Sequence, residues 1–219
     1  MGEMISFACP DGSSADGYLA TADGSRMAVI VLQEWWGLNE QIKRTCDHFA
    51  DEGITALAPD LYEGRVTQEP DEAEHMMTGL DWVGATETDV GGALAHLRAG
   101  YAKVGVMGFC MGGALTIISA VKLPVDAAVC YYGIPPKDAA DPAAIGVPFQ
   151  GHFATDDDWC TPDAAAALET DLQASGTIYE MFSYKAAHGF FNDTVAAYNS
   201  ECATLSWART TQFLHKHLG

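Results

Sequence analysis

The chain has 219 residues, 48% hydrophobic and 19% charged, enough to bury a core in one domain and too apolar for disorder. With 30 acidic against 11 basic side chains the net charge is −19, which argues against binding nucleic acid or anionic membrane surfaces. No apolar run reaches the roughly 18 residues of a membrane span, and Met1-Gly2-Glu3-Met4 does not begin a signal peptide, so a cytoplasmic location is expected.

Taken in chain order, strand-like and helix-like patterns alternate throughout. Residues 5–9 and 17–21, joined through Asp11-Gly12, predict a hairpin. Residues 27–33 (MAVIVLQ) are almost unbroken apolar sequence, as a strand covered on both faces requires. Residues 39–52 carry Ile42, Cys46 and Phe49 at helical spacing, with Asn39 as the cap. A short strand at 54–58 ends at Pro59, and the irregular stretch 60–82 is expected to lie over a site.

Beyond it, a helix at 86–97 leads to a strand at 103–109 and a helix at 111–121. Further strands are expected at 125–131, 147–153 and 177–182, with helices at 162–174 and 194–215. Such alternation predicts a mostly parallel sheet with helices on both faces, in one domain covering 1–219 and without room for a large cap domain.

The six cysteines, Cys9, Cys46, Cys110, Cys130, Cys160 and Cys202, form no C-x-x-C pair, which disfavours a structural zinc site or disulfide framework. Most are expected to be buried as small hydrophobes. Cys110 differs because it sits in Gly108-Phe109-Cys110-Met111-Gly112-Gly113, between a buried strand and a helix. A strand-to-helix turn of this kind strains the central residue and presents it at the sheet edge, where a helix N-terminus favours negative charge. Cys110 is therefore the candidate nucleophile, and the Met111 N–H a candidate oxyanion donor.

A thiol nucleophile needs a base. His188, in Ala187-His188-Gly189-Phe190, follows the last predicted strand, where this kind of fold carries its histidine. His48, His75 and His96 fall in helical segments, His215 and His217 at the C-terminus, and His152 is expected in the core. The loop after strand 147–153 offers three successive aspartates, Asp156, Asp157 and Asp158, any of which could orient the imidazole. Glu34 ends the apolar strand at the same edge as Cys110, and the Trp35 N–H is the second candidate oxyanion donor. Trp35, Trp36, Tyr62, Trp82 and Phe190 are candidates to line an apolar pocket.

Together Gln33-Glu34-Trp35-Trp36-Gly37, Gly108-Phe109-Cys110-Met111-Gly112-Gly113, the Asp-x-Trp loop and Ala187-His188-Gly189-Phe190 resemble the dienelactone hydrolase family, over nearly the whole chain. The resemblance implies an α/β-hydrolase fold and a carboxymethylenebutenolidase-like hydrolase, acting on a small-molecule ester or lactone. It implies a Cys110-His188-Asp triad passing through an acyl-thioester, with Glu34 contacting and modulating the thiol. The Asp-x-aromatic pattern and the strand end select Asp157, whereas counting back from Pro162 selects Asp158; Asp157 is preferred. No metal or organic cofactor is implied, and a monomer or small homo-oligomer is expected.

The chain departs from the family where substrate is held. An arginine four residues after the histidine, which family members resemble one another in using to hold the substrate's carboxylate, is here Asn192. No arginine or lysine occurs from Val66 to Leu97, leaving Arg65 as a substitute. A competing expectation is a redox-sensing or ligand-binding protein that uses the same cysteine without turnover.

Overall fold

In the computed structural model, which describes residues 1–219, the long apolar runs become the centre of a single sheet. Its strands are β1 (Glu3–Ala8), β2 (Ser14–Ala20), β3 (Met27–Leu32), β4 (Thr55–Pro59), β5 (Lys103–Phe109), β6 (Ala127–Tyr131), β7 (Phe149–Asp156) and β8 (Tyr179–Ala187). Their order is β1-β2-β4-β3-β5-β6-β7-β8. The hairpin β1–β2 is antiparallel and β2 runs antiparallel to β4; every other neighbouring pair is parallel.

Helices α1 (Glu40–Asp51), α2 (Pro70–Gly79), α3 (Trp82–Ala85), α4 (Gly91–Arg98), α5 (Met111–Lys122), α6 (Pro162–Ser175) and α7 (Ser200–Leu218) cover both faces. The period-2 alternation of a strand divides the core in two. Val29 and Val31 of β3 pack with Ile42, Cys46 and Phe49 of α1 and with Phe213 and Leu214 of α7. Ala28, Ile30 and Leu32 face the other way, in the core shared with α4, α5 and α6. Each large apolar side chain so buried contributes about 1.5–3 kcal/mol. This is the expected α/β-hydrolase architecture. No helix is long and apolar enough to cross a membrane.

Local signals account for most helix ends. The Asn39 side chain accepts from the N–H groups of Gln41 and Ile42, capping α1 as expected. Thr161 caps α6, Pro162 opens it, and Gly176 ends it in a left-handed conformation at φ 71°.

Three boundaries differ most from the sequence expectation. Strand β8 runs on to Ala187, so His188 is the first residue beyond the sheet rather than part of a longer loop. The helix expected from 86 is instead a continuous run from Trp82, with a π-helical stretch at Thr86–Val90 before α4. Helix α7 begins at Ser200, capped by Asn199, instead of at 194. The Asn192 side chain holds Thr194 through Thr194 N–H and Oγ1, and 194–199 forms turns before the helix starts.

His152 is a packed core histidine, fully buried between Tyr131 and Phe182. Its Nδ1 pairs with Tyr184 Oη at 2.8 Å and its Nε2 with Gln150 Oε1 at 2.9 Å. Burial, followed by the charge of Arg209, pushes its pKa well down and keeps the ring neutral.

The turn after β5 leaves no room for side chains at its glycines. A Cβ on Gly108 would lie 2.2 Å from the Gly112 carbonyl oxygen, and one on Gly112 would lie 2.4 Å from the Leu32 carbonyl oxygen. Backbone cannot yield as a flexible side chain can, so Gly108→Ala is expected to cost about 3 kcal/mol. At this chain length that corresponds to a fall in Tm of about 6–12 °C. A thermal melt beside Gly79→Ala, whose added Cβ meets nothing within 4 Å, checks it. Equal melting temperatures for the two variants would refute the close approach.

Candidate active site

Strand register brings the site together. Leu32 of β3 pairs with Gly108 of β5, so Glu34 and Cys110, two residues further along each strand, emerge at one edge. Phe109 pairs with Tyr131, placing Tyr132 next to Cys110. Past an irregularity in β7, Asp156 pairs with Ala187, so Asp157 and His188 leave the sheet side by side.

Cys110 occupies the strained turn its neighbours require, with φ 52° and ψ −115°. A non-glycine residue held there costs on the order of 1–3 kcal/mol, which the surrounding backbone must offset. Its N–H donates to the Tyr131 carbonyl at 3.0 Å, and its own carbonyl accepts the Ala114 N–H at 3.0 Å. The thiol lies at the N-terminus of α5, where the Met111 N–H faces it and favours the thiolate. Burial, and after it the charge of Glu34, outweigh that effect and lift the thiol pKa well above its ordinary value.

His188 Nδ1 lies 2.8 Å from Asp157 Oδ2. Asp157 is 4% exposed, and its other oxygen accepts the N–H groups of Trp159 at 2.8 Å and Cys160 at 2.9 Å. Burial alone would raise this carboxyl, but the His188 hydrogen bond and the two backbone donors together hold it below the usual range. Asp156 and Asp158 are exposed. The ring of His188 packs edge-on against Tyr132, and its Nε2 is buried without a hydrogen-bond partner.

Glu34 is almost wholly buried, and two neutral donors hold its carboxylate. Tyr132 Oη donates to Oε1 at 3.2 Å, and Asn192 Nδ2 donates to Oε2. Burial raises its pKa; the donors and the nearby His188 oppose the shift without cancelling it. Asn192 is itself fully buried and oriented, because its Oδ1 accepts from Thr194 N–H at 2.9 Å and Oγ1 at 2.6 Å. Neither Tyr132 nor Asn192 was expected as a partner of Glu34. Both lie far from it in the chain, with no local motif linking them.

A cavity of about 180 Å³ opens over Glu34, Cys110 and His188. Of the five aromatic candidates for its wall, Trp35 and Trp36 line it. Tyr62 and Phe190 are core residues, and Trp82 is half-buried with its indole N–H donating to the Met77 carbonyl. The missing wall is Trp159, two residues past Asp157, packed edge-on against Trp35 at 5.7 Å. The irregular stretch does reach the site, through Met77 of α2. Arg65 is exposed, with its Nε donating to the Tyr62 carbonyl, and does not line the cavity.

The arrangement therefore places a thiol and an imidazole oriented by a buried carboxylate on the wall of one apolar cavity. Known proteins are similar to this chain over nearly its whole length. The chain is 34% identical to the protein usf of Aquifex pyrophilus over the full length of both. It is 28% identical to the carboxymethylenebutenolidase of Pseudomonas putida, over 97% of this chain and 95% of that one. Its fold matches a solved dienelactone hydrolase-like promiscuous phosphotriesterase from metagenomic libraries, with TM-score 0.86, 22% identity, and coverage of 100% of this chain and 99% of that one. The model of the dienelactone hydrolase family matches residues 15–218, and the chain belongs to that family.

Proposed function

We propose that this chain hydrolyses a small ester or lactone, as a single domain in the cytoplasm, with Cys110 as nucleophile, His188 as base and Asp157 as its orienting acid. The observation that carries the reading is the buried Asp157–His188 pair at 2.8 Å, with Nε2 left without a partner beside the strained Cys110 turn. The cysteines are all unpaired, which suits a reducing compartment.

At rest, burial and Glu34 keep the thiol neutral. With substrate bound, the thiol proton passes to His188 Nε2 and the thiolate attacks the acyl carbon. The oxyanion formed is stabilised by the N–H groups of Met111 and Trp35, each worth about 10²–10³ in rate at such a site. Collapse breaks the C–O bond, and the leaving oxygen takes the proton from His188. Water then gives a proton to His188 and attacks the thioester, releasing the acid and restoring the thiol. A thiol held protonated at rest is the reverse of what an oxidation sensor needs, so hydrolysis is the reading supported.

The thioester is directly testable. Mixing enzyme with 4-nitrophenyl acetate and quenching early should give a burst of nitrophenolate and an acetyl group on the peptide containing Cys110, seen by mass spectrometry. Steady turnover with no acyl group on that peptide would rule out covalent catalysis by this residue.

A further inference from the structure

Resting on the hydrolase reading above, we propose that the cavity over Cys110 is an acyl subsite for an uncharged, apolar group no larger than about a benzoyl. Its walls beyond the reacting groups are Trp35, Trp36, Met77, Trp159, Val195 and Ala197, and none of its lining residues is lysine or arginine. The charges close by are acidic: Glu34 at the floor and Asp157 behind His188. Glu34 already has both oxygens held by neutral donors, so it brings no cation with it.

The cations that line the neighbouring groove are already paired. A groove of about 800 Å³ shares Trp36 and Val195 with the cavity and carries Lys43 and Arg44. Lys43 is tied to Glu40 at 2.8 Å and Arg44 to Asp193 at 2.7 Å. A carboxylate on the acyl group would thus be desolvated against tryptophan with no partner, in a chain of net charge −19. Size follows from volume. A dry apolar cavity of about 150 Å³ holds a benzene molecule, so the 180 Å³ here is matched to a single ring. Two edge-on tryptophan contacts, Trp35–Trp36 at 5.0 Å and Trp35–Trp159 at 5.7 Å, make the walls suited to a flat or unsaturated group.

The test compares kcat/KM on matched 4-nitrophenyl esters, each corrected for spontaneous hydrolysis. The adipamate and hemiadipate esters have the same shape and differ by one charge, while the benzoate and 2-naphthoate differ by one ring. The hemiadipate should fall about 100-fold below the adipamate, the cost of an unpaired buried charge. The naphthoate should fall at least about 10-fold below the benzoate, since an overfilled cavity forces its walls apart. In folded Ala197→Arg protein, a cation at the wall should narrow the charge deficit several-fold; an unchanged deficit would count against the electrostatic argument. Equal rates within both wild-type pairs would overturn the proposal and leave the hydrolase intact. Absence of turnover on all four esters would overturn both.

Discussion

Cys110→Ala protein is expected to hydrolyse 4-nitrophenyl acetate with kcat lowered about 10⁴–10⁶-fold, while its melting temperature stays near that of the parent chain. The magnitude is large because members of the proposed triad would act as a unit: without the sulfur, the Asp157–His188 pair would have nothing to activate. The residue is half-buried and its substitution removes a single sulfur, so packing changes little. Cys202, the other cysteine that is not fully buried, lies in α7 and should be replaceable by alanine at no cost in rate. Initial rates and thermal melts on the two variants decide the matter. A Cys110→Ala enzyme retaining a tenth of its activity would require another nucleophile.

Asp157→Asn should lower kcat about 10³–10⁴-fold, whereas Asp158→Asn should stay within about twofold. The contrast comes from what each oxygen does. Asp157 Oδ1 is committed to the N–H groups of Trp159 and Cys160, so an asparagine there keeps its carbonyl in that position. The amide NH₂ then faces His188 Nδ1 and can only donate, which moves the ring proton to Nε2, where the thiol proton has to be received. Asp158 is exposed and contacts neither ring nitrogen. Steady-state kinetics on both variants separate the two positions, and a matching loss in Asp158→Asn would mean that the loop rearranges when substrate binds.

The same aspartates show how far the sequence can be read. Three successive acidic residues after a strand are equivalent as text, and motif spacing pointed to two of them. The pairing of Asp156 with Ala187 resolves them, since it sets which carboxylate leaves the sheet beside His188. The start of α7 was misplaced for a related reason. Residues 194–199 carry an acceptable helical pattern, but the tertiary bonds of Asn192 turn the chain across the site first.

Cys110 was legible because the features that mark it are local. A buried strand, tight glycines and an apolar helix must adjoin in the chain to make the turn, and steric exclusion at Gly108 and Gly112 forbids most alternatives. Fold class was legible for the same reason, through runs whose periodicity is a property of neighbouring residues. Tertiary structure alone decided the environment of Glu34. Its donors Tyr132 and Asn192 lie 98 and 158 residues away in the chain, and Trp159 reaches the cavity wall only after folding. Local sterics write themselves into short motifs, whereas burial and hydrogen bonding across strands depend on register, which no short segment carries.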